Sequence, residues 1–132
     1  MARILVVDDE EMDRLLLQAV LARAGHETLV VEGGEEAFRA YLDTGIDLVV
    51  TDLQMPDVHG FELISILREL SDPPAIIAVS GTGPFQLHMA EALGARWTLR
   101  KPIDPALLLD AVDRALAERA ESSGGTEDLK SG

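Results

Sequence analysis

Apolar residues fall along this chain in five short runs, at 4–7, 28–31, 46–51, 75–79 and 97–99, separated by longer amphipathic stretches. The runs are nearly continuous rather than alternating. That is the pattern of strands covered on both faces, and so of a parallel sheet. Between the runs, apolar positions recur every three or four residues, the helical period. Met12, Leu15, Leu16, Ala19 and Val20 predict a helix from Glu10 or Glu11 to Ala24, stopped by Gly25. Gly33 and Gly34 break the second run, and residues 35–44 predict a shorter helix with acids in its first turn, where the dipole favours them. Leu63, Ile66, Leu67 and Leu70 mark a helix over 61–70, closed by Asp72-Pro73-Pro74. Pro84 opens a helix ending at Leu93. Asp104 caps a last helix with Pro105 at its first position, and Leu107, Leu108, Ala111, Val112, Ala115 and Leu116 form its apolar stripe. Strands alternating with helices predict an α/β fold: a single doubly wound five-stranded parallel sheet with helices on both faces and right-handed crossovers. From Glu121 the composition turns to Ser, Gly and charge. The domain is therefore expected over 1–120, with 121–132 a disordered tail or linker stub.

Composition narrows the function classes. A chain of 132 residues suits one domain with a real core. Its formal net charge of −13 argues against nucleic acid and anionic membrane surfaces, both of which are held through Lys and Arg. A basic face on a protein partner remains open. The absence of cysteine excludes disulfides, thiolate metal sites and thiol nucleophiles. No run approaches the ~18 apolar residues of a membrane span. Asp8 interrupts the first apolar run, so a signal peptide is not expected and the cytoplasm is.

Candidate chemistry sits where the apolar runs end. Asp8 and Asp9 follow the first run, Asp52 the third, Ser80 the fourth, and Lys101 stands just beyond the fifth. In an open parallel sheet, ligands bind outside the carboxyl ends of the strands, so these residues are expected to converge. Three carboxylates, a hydroxyl and an ammonium suit a divalent cation and a phosphoryl group. Each residue also has a plainer role: helix cap, turn former or surface lysine. Four acids in a row, Asp8 to Glu11, exceed what capping requires. Asp52 is a candidate metal ligand, nucleophile or both, since Asp nucleophiles form acyl phosphates. The Gln54 backbone carbonyl, two residues on, is placed to complete a cation's coordination. Met12, Met55 and Met89 read as core or rim filler. His26, His59 and His88 show no metal-ligand spacing.

The stretches 4–10, 48–60, 77–81 and 94–102 together resemble the receiver domain of two-component response regulators, over about residues 2–120. The resemblance implies the flavodoxin-like strand order 2-1-3-4-5. It implies that Asp52 accepts a phosphoryl group from a phosphohistidine on a sensor histidine kinase or phosphotransfer protein. Mg2+ (or Mn2+ in its place) would be held by Asp8, Asp9, Asp52 and the Gln54 carbonyl. Ser80 and Lys101 would take the phosphoryl oxygens, and the Lys101–Pro102 bond would be cis. The chain would be a signalling phosphoacceptor rather than an enzyme, catalysing only its own phosphorylation and slow dephosphorylation. Added charge at Asp52 would move Ser80 and bias a face that binds a downstream protein. Three positions depart from the family pattern: Thr98 stands where an aromatic ring is usual, with Trp97 beside it as a candidate substitute in the switch; His59 stands where an acid is frequent; Thr82 stands where small residues are frequent. The chain would be a monomer or weak dimer, either free-standing or cut from a longer protein.

Three other readings share parts of this pattern. A docking module without phosphotransfer would not need the complete set of acids with Lys101. A haloacid-dehalogenase-type phosphatase places its nucleophile after the first strand, in an Asp-x-Asp arrangement absent here. A flavodoxin-like electron carrier needs a Ser/Thr/Gly-rich phosphate loop where this chain has Asp8 to Glu11.

Overall fold

The computed structural model describes residues 2–54 and 60–131, with side chains through Glu121. Five strands and five helices alternate: β1 (Arg3–Val7), α1 (Glu11–Arg23), β2 (Glu27–Val31), α2 (Gly34–Asp43), β3 (Leu48–Asp52), α3 (Gly60–Arg68), β4 (Ala75–Ser80), α4 (Pro84–Leu93), β5 (Trp97–Arg100) and α5 (Pro105–Ser131). All strand pairs are parallel, in the order β2-β1-β3-β4-β5. The fold class and the strand order are those expected. The expected reading of Met55 and the departure at His59 lie outside the described residues.

Strand alternation divides the core into two layers. Leu5, Val7, Val49, Ile76 and Ala78 point to α2, α3 and α4, where they meet Ala37, Leu63, Ile64, Leu67, Leu87 and Ala90. Ile4, Val6, Val50, Ile77 and Val79 point to α1 and α5, where they meet Leu17, Leu21, Leu108, Val112 and Ala115. Burial on both sides accounts for the unbroken apolar runs. No helix among the described residues is long and apolar enough to cross a membrane.

Helix rotation differs from expectation most in α1. Leu17 and Leu21 are its buried residues, while Met12, Leu15 and Leu16 are 75%, 52% and 39% exposed. α1 carries apolar residues around much of its circumference, so periodicity alone does not select the inner face. Tertiary packing does: Leu17 and Leu21 join the core with Ile4, Val6 and Val50, and the Arg14 guanidinium donates to the Asp8 carbonyl at 2.8 Å. Met12, and Met89 in α4, are exposed, which removes the core half of the core-or-rim reading. Ile66 in α3 and Leu107 in α5 also face outward, displaced from the expected stripes. β3 begins at Leu48, and Ile46 is buried just ahead of it. The backbone of α5 runs to Ser131, past Glu121, where composition gave the expectation of a tail.

Gly60 lies close against the backbone at the end of β3. It begins α3, and its N–H donates to the Leu53 carbonyl at 3.2 Å. A Cβ there would overlap the Asp52 carbonyl oxygen and lie 2.6 Å from the Leu53 Cα, both backbone atoms with little freedom to shift. Gly60→Ala is expected to lower stability by about 2 kcal/mol, read from the urea unfolding midpoint. An unchanged midpoint would mean that α3 slides away from β3 without cost.

Candidate functional site

Sheet register assembles the candidate site. Val7 of β1 pairs with Thr51 of β3, so Asp8 and Asp52 leave neighbouring strands at the same level. Asp52 pairs with Val79 of β4, and Ser80 pairs with Arg100 of β5, one residue before Lys101. The backbone N–H of Lys101 donates to the Ser80 carbonyl at 2.9 Å and fixes the base of its side chain. The Lys101–Pro102 peptide is cis, as the resemblance implied.

The acids converge as expected. One carboxylate oxygen from each of Asp8, Asp9 and Asp52 lies within 4.8 Å of the others. Asp8 is fully buried, Asp52 is 7% exposed and Asp9 is exposed. Glu10, not Asp8 or Asp9, is the N-cap of α1, and it makes no side-chain cap. Capping therefore does not explain the acidic pair. Asp8 Oδ1 accepts the Glu10 N–H at 2.9 Å. Asp8 Oδ2 is buried and ion-paired with Lys101 Nζ at 3.0 Å.

The electrostatics follow from this crowding. Burial, then the charge of Asp8, pushes the Asp52 carboxyl up to about 6, against the pull of Lys101. Burial also raises Asp8, partly offset by the Glu10 N–H and Lys101. Burial works against the Lys101 ammonium, yet Asp13, Asp8 and Asp52 outweigh it and hold its pKa above that of an ordinary lysine. Lys101 Nζ stands 2.8 Å from Asp13 Oδ2, 3.0 Å from Asp8 Oδ2 and 3.6 Å from Asp52 Oδ2. Several acids thus face one amine. Three carboxylates, two of them buried, form an all-oxygen donor set that fits a hard divalent cation, which takes such ligands.

The polar residues are distributed less simply. Asp9, Asp52, Gln54, Gly81, Thr82 and Lys101 line one open cleft of about 360 Å3. Gln54 is exposed there, and its N–H lies 3.5 Å from Asp52 Oδ1. Ser80 is buried, and its hydroxyl turns to its own loop, 2.9 Å from Thr82 Oγ1, while accepting the Thr82 N–H at 3.2 Å. The hydroxyl that lines the cleft is that of Thr82. Thr98 pairs with Ala78, and Trp97 with Ile77, three residues before Ser80. Trp97 lines a different cavity of about 180 Å3, together with Arg68, Pro74, Ile76, Ala115 and Arg119. The Arg96 guanidinium lies 5.6 Å from its ring centroid.

Sequence reasoning missed Asp13. Its position in the first turn of α1 reads as dipole compensation. No local signal marks it: Asp9 precedes the N-cap Glu10, so no helical period links the two acids, and the partner of Asp13 lies 88 residues away.

Comparison with known proteins agrees with this geometry. A family model described as the response regulator receiver domain matches residues 4–113. PilH of Pseudomonas aeruginosa is 33% identical over 120 residues, covering 89% of this chain and 99% of PilH. The sensory/regulatory protein RpfC of Xanthomonas campestris is 34% identical over 130 residues, covering 94% of this chain but 18% of RpfC. The chain thus spans less than a fifth of RpfC and nearly all of PilH. Among solved structures, the chemotaxis protein CheY4 of Vibrio cholerae superposes with a TM-score of 0.80 at 31% identity, covering 88% of this chain and 99% of CheY4. NtrX of Brucella abortus gives 0.89 at 28% identity, covering 97% of this chain and 30% of NtrX. A match over most of the chain, on a sheet whose strand ends gather the residues picked out above, makes this chain a member of the response regulator receiver domain family.

Proposed function

We propose that this receiver domain accepts a phosphoryl group on Asp52 from the phosphohistidine of a sensor histidine kinase or phosphotransfer protein, and so switches a face that binds a downstream protein. The observation that carries the reading is the meeting of the Asp8, Asp9 and Asp52 oxygens with the Lys101 ammonium, 3.6 Å from Asp52 Oδ2. Asp8, Asp9, Asp52 and the Gln54 carbonyl are the residues to hold Mg2+, or Mn2+ in its place. Such a cation neutralises charge on the incoming phosphoryl group.

The chain's own residues do the rest. An ionised Asp52 oxygen forms the bond to phosphorus as the bond to the histidine nitrogen breaks, and the electron pair leaves with the imidazole. Lys101 takes one phosphoryl oxygen as a point charge. Ser80 takes another once its hydroxyl gives up Thr82. That exchange is the switch: it redirects the loop after β4 and, through the β4–β5 pair, the surface of α4, β5 and α5. With Thr98 in place of the usual ring and Trp97 three residues back along the sheet, transmission runs through the Ser80–Thr82 loop. Water then removes the phosphoryl group slowly, so the chain is a phosphoacceptor that resets itself. The kinase partner implies the cytoplasm.

Incubation with Mg2+ and a small acyl phosphate is expected to add one phosphoryl group, located at Asp52 by peptide mass spectrometry, with none added when EDTA replaces Mg2+. No adduct under saturating donor would favour the docking module instead.

A further inference from the structure

The amine at the centre of the site is anchored by a carboxylate outside the expected set. The shortest contact of the Lys101 ammonium is its hydrogen bond from Nζ to Asp13 Oδ2, at 2.8 Å. The Asp8 and Asp52 oxygens stand farther off, at 3.0 and 3.6 Å. Asp13 projects from the first turn of α1 with its side chain 24% exposed, while that of Lys101 is 15% exposed.

We propose that Asp13 is a positioning residue for phosphoryl transfer, holding the Lys101 ammonium beside Asp52 throughout the cycle. The proposal rests on the phosphoacceptor reading and names a part of it that the family pattern does not supply. A lysine ammonium is a point charge on a flexible four-carbon stem. The base of the stem is fixed by the bond from Lys101 N–H to the Ser80 carbonyl, so the head is what needs an anchor. Asp8 and Asp52 are poor anchors at the moment of transfer. Both belong to the cation cluster, and Asp52 then carries the phosphoryl group. Asp13 lies outside that cluster, so its hydrogen bond survives. An ammonium has three donor protons, so one stays on Asp13 and two are free to turn to phosphoryl oxygens.

The chain has two lysines, Lys101 and Lys130, so 15N-lysine labelling gives a readily assigned pair of ammonium resonances. The parent, Asp13→Ala and Asp13→Asn are compared with and without Mg2+. The Lys101 ammonium is expected to exchange slowly with water in the parent, to stay so in saturating Mg2+, to exchange fast in Asp13→Ala, and to recover in Asp13→Asn, whose amide oxygen accepts the same bond. The same proteins are then given a small acyl phosphate with saturating Mg2+. Asp13→Ala is expected to lower the maximal rate of Asp52 phosphorylation about tenfold, with Asp13→Asn within about threefold of the parent. Slow Lys101 exchange in Asp13→Ala, or a parental rate, overturns the proposal. So does an Asn variant no better than Ala, because the effect would then belong to charge rather than to the bond. If the parent itself takes up no phosphoryl group, the phosphoacceptor reading fails and the transfer role falls with it. The ammonium resonances still decide whether Asp13 is the anchor.

Discussion

Asp52→Asn yields a protein that takes up no phosphoryl group and is more stable than its parent at neutral pH without divalent cations. The first effect follows from removing the attacking carboxylate, since a neutral amide is no nucleophile for phosphorus. The second follows from burial. The Asp52 side chain is 8% exposed, and burial pushes its carboxyl up to about 6 in the fold, from the 3.8 of a free aspartate. Between those two values the unfolded chain has released the proton while the folded chain still holds it. The unfolded state thus binds fewer protons, and stability falls as pH rises through that window. Two pH units amount to about 3 kcal/mol. Asn stands in for the protonated acid and escapes that loss. Denaturant unfolding in EDTA should show the variant ahead by about 3 kcal/mol near pH 7, with the two curves meeting at about pH 4. A difference that widens toward acid would show that burial of the charge is not its source.

Lys101→Met has the opposite sign. It strips the only amine from a site where Asp8 is fully buried and Asp13 and Asp52 face it within 3.6 Å. Removing one partner of a buried charge set leaves the others uncompensated, so the metal-free variant is expected to lose about 3 kcal/mol at neutral pH. The deficit should shrink as pH falls through the Asp52 pKa of about 6, because that carboxyl can then take a proton and remove one repulsion. Mg2+ should recover part of it, since any ligand that binds only the folded state adds stability by mass action. The urea midpoint, measured with and without Mg2+ at both pH values, reads all three effects. A midpoint that ignores both the substitution and Mg2+ would mean that water already solvates these acids. That would also remove the ground for a cation site.

Much of this molecule is legible in its sequence because parallel strands bury both faces. The unbroken runs at 4–7 and 75–79 admit few other readings, and a polar residue directly after such a run is forced to the sheet edge. Asp8, Asp52, Ser80 and Lys101 were found in this way, and the family pattern supplied the strand order. The helix faces were less legible. In α1, apolar residues occupy both the inner line at Leu17 and Leu21 and the outer one at Met12, Leu15 and Leu16. Periodicity gives a helix without giving its rotation. That rotation is set by packing of Leu17 and Leu21 into the core.

The sequence by itself determined the α/β alternation, the strand ends that carry chemistry, and the excess of acids that a cation or an amine must balance. Local composition is sufficient for these, because each depends on runs of a few residues and on formal charge. Only the tertiary structure decided which groups meet. It gave the Lys101 ammonium to Asp13, turned the Ser80 hydroxyl to Thr82, buried an Asp8 oxygen 3.0 Å from that ammonium, and set Trp97 in a separate cavity. Those outcomes depend on helix rotation and on side-chain directions across segments up to 88 residues apart. Packing fixes such contacts, and no local pattern along the chain encodes them.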